Sequence, residues 1–351
     1  MTTTGPAFVD TEFVPTVYPQ CPLCTQPAQA PSEVSYSAAE AAQHFVLAEE
    51  YPQRNAELTA HIQALWSRND CRMYDCRTCA LTYAWPFVAG DGRFYNLAYP
   101  YASYPAQRWE FLRTLDSLRT APLQPGPVLE IGSGFGYFLG QLAPAHVAPD
   151  RVIALEYSDA GRAQLVAKGF RAMPCDVRSA ELDPWRGQLA AAFLFQVLEH
   201  MDDLRAVVAR LTELTQPGAS IFVAVPNRDR TAFNEAHGSL CDMPPNHISQ
   251  WTPASLQRLA DIAGWRLDRC EREPFSWPAF MRGDLVYAHM RRAQKAGSLA
   301  NRVRSRPRGR VRQVAEAAVA LAALPTRVPH WVAAAGTAQL LGNSLWVRYQ
   351  R

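Results

Sequence analysis

Nowhere does the sequence hold an apolar run approaching the about eighteen residues that a membrane-spanning helix requires, so no spanning segment is expected. The opening stretch, MTTTGPAFVDTEFVP, has neither the basic start nor the apolar core of a secretion signal, and a cytoplasmic chain is the expectation. Acid is missing from one long segment. Between Arg291 and Arg312 there are nine Lys or Arg and no Asp or Glu, so the remainder alone is net −6 in a chain of net +3. Such a run either stays solvated as a loop or meets phosphates or an anionic membrane surface. What the chain does have is apolar material: 48% of its 351 residues are hydrophobic and 19% are charged. That length suits one domain of ordinary size with a smaller one attached.

Five of the eight cysteines fall within the first eighty residues. Cys21-Pro-Leu-Cys24 and Cys76-Arg-Thr-Cys79 form two CxxC knuckles, and each places two thiolates within about 4 Å. Together they complete a tetrahedral four-sulfur site for structural Zn2+, with no open position for catalysis. The alternative is four buried free thiols packed as small hydrophobes. Cys71 is a competing ligand by position but reads as a strand residue; Cys175, Cys241 and Cys270 are isolated and read as structural. Between the knuckles, Ser37-Ala-Ala-Glu40 has the form of a capping box and opens one helix. Leu58, Ile62, Leu65 and Trp66 then mark the face of a second, giving a helical hairpin inserted into a zinc ribbon. An aromatic connector follows from Phe94 to Tyr104, a core segment or a lid, and then a helix from about Ala106 to Arg119.

After Pro125 the elements alternate. Strands are expected at Val128–Ile131, Arg151–Leu155, Phe170–Met173, Ala191–Phe195 and Ser220–Val225, with helical stretches between them and at Pro253–Ala263. This predicts an α/β fold with a doubly wound, mostly parallel sheet. In such a sheet the turn after the first strand holds a nucleoside cofactor. Here that turn is Gly132-Ser133-Gly134-Phe135-Gly136, with Tyr137 where a dinucleotide fingerprint requires its third glycine. Glu130 precedes the turn, and an acid there is a poor neighbour for a pyrophosphate. It suits a positively charged cofactor, and S-adenosylmethionine carries both an ammonium and a sulfonium.

These residues resemble the class I S-adenosylmethionine-dependent methyltransferases from about Pro127 to Trp265. The resemblance implies a seven-stranded, Rossmann-like sheet. It also implies that Glu130, Gly132, Ser133, Gly134 and Gly136 hold the methionine part of the cofactor. Glu156, followed by Tyr157, stands where the family accepts both ribose hydroxyls. Asp176, followed by Val177, matches the acid that contacts the adenine amino group. Phe195-Gln196-Val197-Leu198-Glu199-His200 matches the end of the fourth strand, placing Gln196 and His200 at the cofactor rim. The N-terminal part resembles a subset of these enzymes that begin with a CxxC…CxxC zinc ribbon and modify small molecules, sugars or natural products.

A hydroxyl or carbon acceptor needs a base within hydrogen-bond reach. His247 lies in a loop above the carboxyl ends of the strands, ahead of the Thr252-Pro253 helix start, and is the candidate general base. Its alternative role is to fasten the loop. The readings divide the chain into a zinc-ribbon module (1–93), a connector and helix (94–120), and a cofactor domain (121–281). A helical and basic insert (282–341) and a final strand (342–351) complete it. The leading expectation is a methyltransferase acting on a small molecule or glycan. The competitors are an RNA methyltransferase that grips phosphates with its ribbon and basic run, and a non-catalytic scaffold.

Overall fold

Alternation of side chains along β-strands decides where this chain buries its apolar residues, and two sheets result. The computed structural model describes residues 19–28, 31–99, 105–237, 243–307 and 309–351. Tyr101, Tyr104 and Cys241, each read from the sequence above, lie outside them.

The N-terminal part contains β1 (Pro31–Ser37), α1 (Ala38–Phe45), α2 (Pro52–Trp66), β2 (Asp70–Asp75), β3 (Thr82–Trp85) and α3 (Gly92–Ala98). The Ser37 capping box forms: Ser37 Oγ accepts from Glu40 N–H, and the Glu40 carboxylate accepts from Ser37 N–H at 2.9 Å. Leu58, Ile62 and Trp66 bury one face of α2 against α1 and β2, as their spacing demands. Next comes α4 (Trp109–Thr120). The α/β part then runs β4 (Val128–Ile131), α5 (Tyr137–His146), β5 (Val152–Leu155), α6 (Asp159–Ala167), β6 (Arg171–Met173) and β7 (Leu189–Phe195). It continues with α7 (Leu204–Leu214), β8 (Thr215–Pro226), α8 (Arg228–Ala236), β9 (Ser249–Gln250), α9 (Pro253–Ala263) and β10 (Arg266–Arg272). Four helices, α10 (Trp277–Gln294), α11 (Leu299–Arg304), α12 (Arg310–Ala322) and α13 (Val328–Ala335), precede the last strand, β11 (Ser344–Gln350).

The larger sheet has seven strands in the order β10-β11-β8-β7-β4-β5-β6, with β11 antiparallel to both neighbours. The pairs from β8 through β6 are parallel. On β4, Leu129 and Ile131 join the cluster under α7 and α9, while Val128 joins the opposite cluster under α4 and α5. By the same alternation Glu130 faces the second side. Every residue of β7 is buried, as a central strand covered on both faces requires. Strand β8 runs well beyond Ser220–Val225, because β7 and β11 pair with it on either edge.

The smaller sheet is ordered β1-β2-β3-β9. Its last member is not local: Ser249 and Gln250 pair with Tyr83 and Thr82. The two-residue β9 was not foreseen, since no periodicity can show in so short a strand. Helices α3 and α10 cross the boundaries expected at 93/94 and 281/282. An N-cap starts each: Asp91 accepts from Phe94 N–H, and Ser276 accepts from Ala279 N–H.

Phe138 of α5 packs on Phe111, Phe193 and Phe195, with ring centroids 4.8 to 5.4 Å apart. Phe138→Ala should destabilise the chain by about 3–5 kcal/mol, the cost of emptying such a site. Urea unfolding at unchanged slope checks this, and a shift under about 1 kcal/mol would mean that these rings do not form one packed unit.

Candidate active site

The site is built where β4 runs into α5. Gly132, Gly134 and Gly136 have φ of +70°, +54° and +68°, a region that L side chains avoid. At Gly132 space adds to conformation, because a Cβ there would lie 2.6 Å from Val197 Cγ2. The turn is fastened from below by Gly132 and Ser133 N–H, which donate to Leu155 O at 2.9 and 3.0 Å. The carboxylate of Glu156 fastens it from the side, accepting from Gly134 N–H and from Ser158 N–H, both at 2.8 Å. Ser133 Oγ donates to Glu130 O at 3.0 Å.

A cleft opens above this turn, lined by Glu130, Gly132, Ser133, Gly134, Phe135, Tyr137, Phe195 and Gln196, and closed by Pro105, Arg108 and Phe111. Glu130 is 4% exposed, and its Oε2 has no hydrogen-bond partner among the described residues. Burial raises its pKa well above the ordinary carboxylate value, against the opposing pull of Ser133. Gln196 directly follows β7 with a left-handed backbone, φ +57°, and its Nε2 donates to Glu110 Oε1 and Ser344 Oγ, both at 3.2 Å. The wall from α4 was missed by the sequence reading, which gave that helix no role. Apart from its place just before the glycine strand, no residue type in it signals a site.

The remaining rim residues differ in how they are placed. Tyr157 is 69% exposed. Val177 is wholly buried. Asp176 is bound by Arg178, accepting from its backbone N–H at 2.8 Å and from Nε and Nη2 at 2.6 and 3.0 Å. Burial works against its charge, yet the Arg178 contacts outweigh it and hold the carboxyl below its usual range.

His200 and His247 meet beyond the end of β7, with ring centroids 4.6 Å apart at 81°. His200 Nδ1 lies 2.6 Å from Asn246 O and 3.2 Å from Tyr95 Oη. A carbonyl only accepts, so Nδ1 carries a proton. His200 Nε2 lies 3.9 Å from Glu199 Oε1, and polar atoms of Glu199, His200 and His247 all lie within 4.8 Å of one another. The loop that carries His247 is anchored to the N-terminal part: Ala84 N–H donates to Ile248 O at 2.8 Å, and Thr252 Oγ1 donates to Ala80 O at 3.1 Å.

Ala80 directly follows the second knuckle. The Sγ atoms of Cys21, Cys24, Cys76 and Cys79 lie within 4.8 Å of one another, with Cys21–Cys79 at 3.6 Å and Cys24–Cys76 at 3.5 Å. Those separations are too long for disulfides and close to the roughly 3.8 Å that a tetrahedron with about 2.3 Å zinc–sulfur bonds would give. The hydrogen bond between Cys21 and Cys79 draws the Cys21 thiol down and pushes Cys79 up, and burial raises Cys24. Cys71 sits buried in β2, outside this group.

Residues 103–269 match a family model described as a methyltransferase domain. A Mycolicibacterium smegmatis protein named as a probable S-adenosylmethionine-dependent methyltransferase is 32% identical over 144 residues, covering 40% of this chain and 52% of that protein. The chain thus spans about half the length of that relative. Among solved structures, an Archaeoglobus fulgidus SAM-dependent methyltransferase aligns at TM-score 0.43 and 14% identity, over 69% of this chain and 94% of that one. Phosphoethanolamine N-methyltransferase 2 of Haemonchus contortus, solved with S-adenosyl-L-methionine, aligns at TM-score 0.42 and 14% identity, over 69% and 52%. The stretch that matches the methyltransferase-domain model, residues 103–269, is also the one that carries the glycine turn and the parallel strands of the larger sheet.

Proposed function

We propose that the protein moves a methyl group from S-adenosylmethionine to a small-molecule, sugar or natural-product acceptor by in-line displacement. The observation that carries this reading is Glu130, a buried carboxyl with an unpartnered oxygen in the cleft at the glycine turn. Such a group is costly unless a partner meets it, and a ligand ammonium is the partner that suits it. Tyr137 in place of a third glycine argues against a dinucleotide in the same cleft.

When bound, S-adenosylmethionine supplies an electrophilic methyl group and leaves as a neutral thioether. Glu130 holds its ammonium, and the turn from Gly132 to Gly136 with the amino end of α5 receives its carboxylate. Glu156 keeps one lone pair on each oxygen for the ribose hydroxyls after serving Gly134 and Ser158. Asp176, with Tyr157 and Val177 beside it, receives the adenine edge, and Gln196 and His200 complete the rim. His247 takes the proton that the acceptor loses as its bond to the methyl carbon forms. The carboxylate of Glu199 lies close enough to favour the imidazolium that results. Cys21, Cys24, Cys76 and Cys79 hold a structural Zn2+. Its work is to fix the turn to which β3, β9 and the His247 loop are tied.

Glu130→Gln should weaken S-adenosylmethionine binding at least about tenfold by calorimetry, since it removes a charge-assisted bond. The same substitution should change the pH response of the ligand-free protein. A carboxyl whose folded pKa is raised binds more protons folded than unfolded, so its stability contribution falls as pH rises above about 4.3. The variant should lose that decline, and an unchanged slope would remove Glu130 from the argument.

His247→Ala should lower kcat for hydroxyl acceptors by about 10²–10⁴ and leave cofactor affinity within about twofold. Loss of cofactor binding in the same variant would mark His247 as a loop fastener instead. Purified protein should hold one zinc per chain. Elemental analysis finding less than about half an equivalent would count against the metal, given how tightly such sites bind.

A further inference from the structure

Helix α12 is turned inside out. Its charged pair faces the protein: Arg312 is 6% exposed, and it donates to Glu316 Oε1 at 3.0 Å and across to Glu50 Oε1 at 3.1 Å. Its large apolar residues face water, with Val311, Val314 and Leu321 exposed by 76%, 70% and 61%. At 3.6 residues per turn these three fall within roughly a quarter of the helix circumference. Ala318, also exposed, lies among them. A helix on a protein surface in water normally presents the opposite arrangement. Nearby in sequence, α13 exposes Val328 and Val332, one turn apart, by 49% and 68%.

The segment leading into α12 carries the charge. Lys295, Arg302, Arg306 and Arg310 are exposed, and among the described residues none of them forms an ion pair. The two partnered cations, Arg304 and Arg312, are held by Glu50 and Glu316. An exposed apolar stripe therefore lies directly after a row of free cations.

We propose that this face of the insert seats the protein on an anionic membrane surface. The valines and the leucine of α12 enter the boundary between headgroups and acyl chains, and the four free cations meet lipid phosphates. Neither signal suffices alone, since a short apolar stripe and a modest cluster of cations each bind bilayers only marginally. Together they do.

Charge decides against the other occupants. A second copy across a two-fold axis would set this patch against itself, cation against cation. Single-stranded nucleic acid would be met with stacking aromatics, which the segment 291–312 lacks, and it would leave the apolar stripe in water. An anionic bilayer satisfies both halves of the surface. The net −6 of the remaining chain is repelled by the same bilayer, so the insert approaches first.

The test is flotation of the full chain with vesicles of phosphatidylcholine, alone or mixed with phosphatidylglycerol. The protein should float with the mixed vesicles only, and less so as salt rises. Arg306→Gln and Arg310→Gln should each lower partitioning by about fivefold, and Val314→Asp should abolish it. These positions are exposed, so thermal melting and S-adenosylmethionine affinity should match the parent. A variant that fails this check is replaced by Leu321→Ser. Three results would overturn the proposal. One is no flotation with anionic vesicles, and another is equal flotation with neutral ones. The third is a dimer in sedimentation that Val314→Asp splits while flotation is untouched. Cofactor affinity reads the catalytic domain independently, so failure of either claim is told from failure of the other.

Discussion

One carboxylate holds the cleft at the glycine turn in shape. Glu156 accepts from Gly134 in the glycine turn and from Ser158 at the start of α6, so two loops that would otherwise move apart share an anchor. The turn cannot relax around it, because its three glycines already occupy left-handed backbone and Gly132 lies against Val197. Space at the anchor is equally tight: a Cβ on Gly161 would come within 2.7 Å of Glu156 Cγ and 2.8 Å of Gly134 O. A charge-assisted bond of this kind is roughly twice as strong as a neutral one, which suits a loop that must stay put while ligands exchange. The cleft is therefore organised before anything binds, with Glu130 as the group left unsatisfied.

The second constraint joins parts far apart in sequence. Strand β3 leaves the second cysteine knuckle and pairs with β9, which follows His247 by one residue. Arg228, at the start of α8, donates to Thr82 of β3 at 3.1 Å, and Asn227 Nδ2 donates to Leu340 O and Gly342 O at 2.7 and 2.8 Å. The loop proposed to face the acceptor is thus clamped between the N-terminal module and the segment before β11. A small module with its own helical hairpin has too little core to be rigid alone, and four clustered cysteines offer a metal as the remedy. On this view the metal acts at a distance, through backbone pairing, on where His247 stands.

Much of this was readable beforehand because it rests on local rules. Glycine spacing after an apolar strand, Ser37 with Glu40, Thr252 with Pro253, and paired CxxC knuckles each carry their reason within a few residues. What escaped depends on distant partners. Nothing in Ser249-Gln250 announces a strand, since it exists only because Tyr83 and Thr82 lie beside it. Arg108 and Phe111 line the cleft through the docking of α4, and helical periodicity says which face is buried without saying against what.

The insert shows the same limit in its sharpest form. From spacing alone, Val311, Val314 and Leu321 share one face of a helix, and the spacing does not say what covers it. The ion pairs from Arg312 to Glu50 and Glu316 decide it, since they use the polar face to dock the helix on the N-terminal module. Partly buried pairs of this kind add little net stability, because desolvation offsets much of their attraction. Their consequence is orientation. With Arg312 and Glu316 committed inward, α12 turns Val311, Val314, Ala318 and Leu321 to water, with Arg310 and Gln313 exposed near its start. That state is unfavourable in bulk solvent and is relieved only when something apolar covers it. The cations beside it require that the same surface be negatively charged. An anionic bilayer meets both conditions, which places the exposed stripe within the logic of the fold and outside the α/β part that carries the cleft.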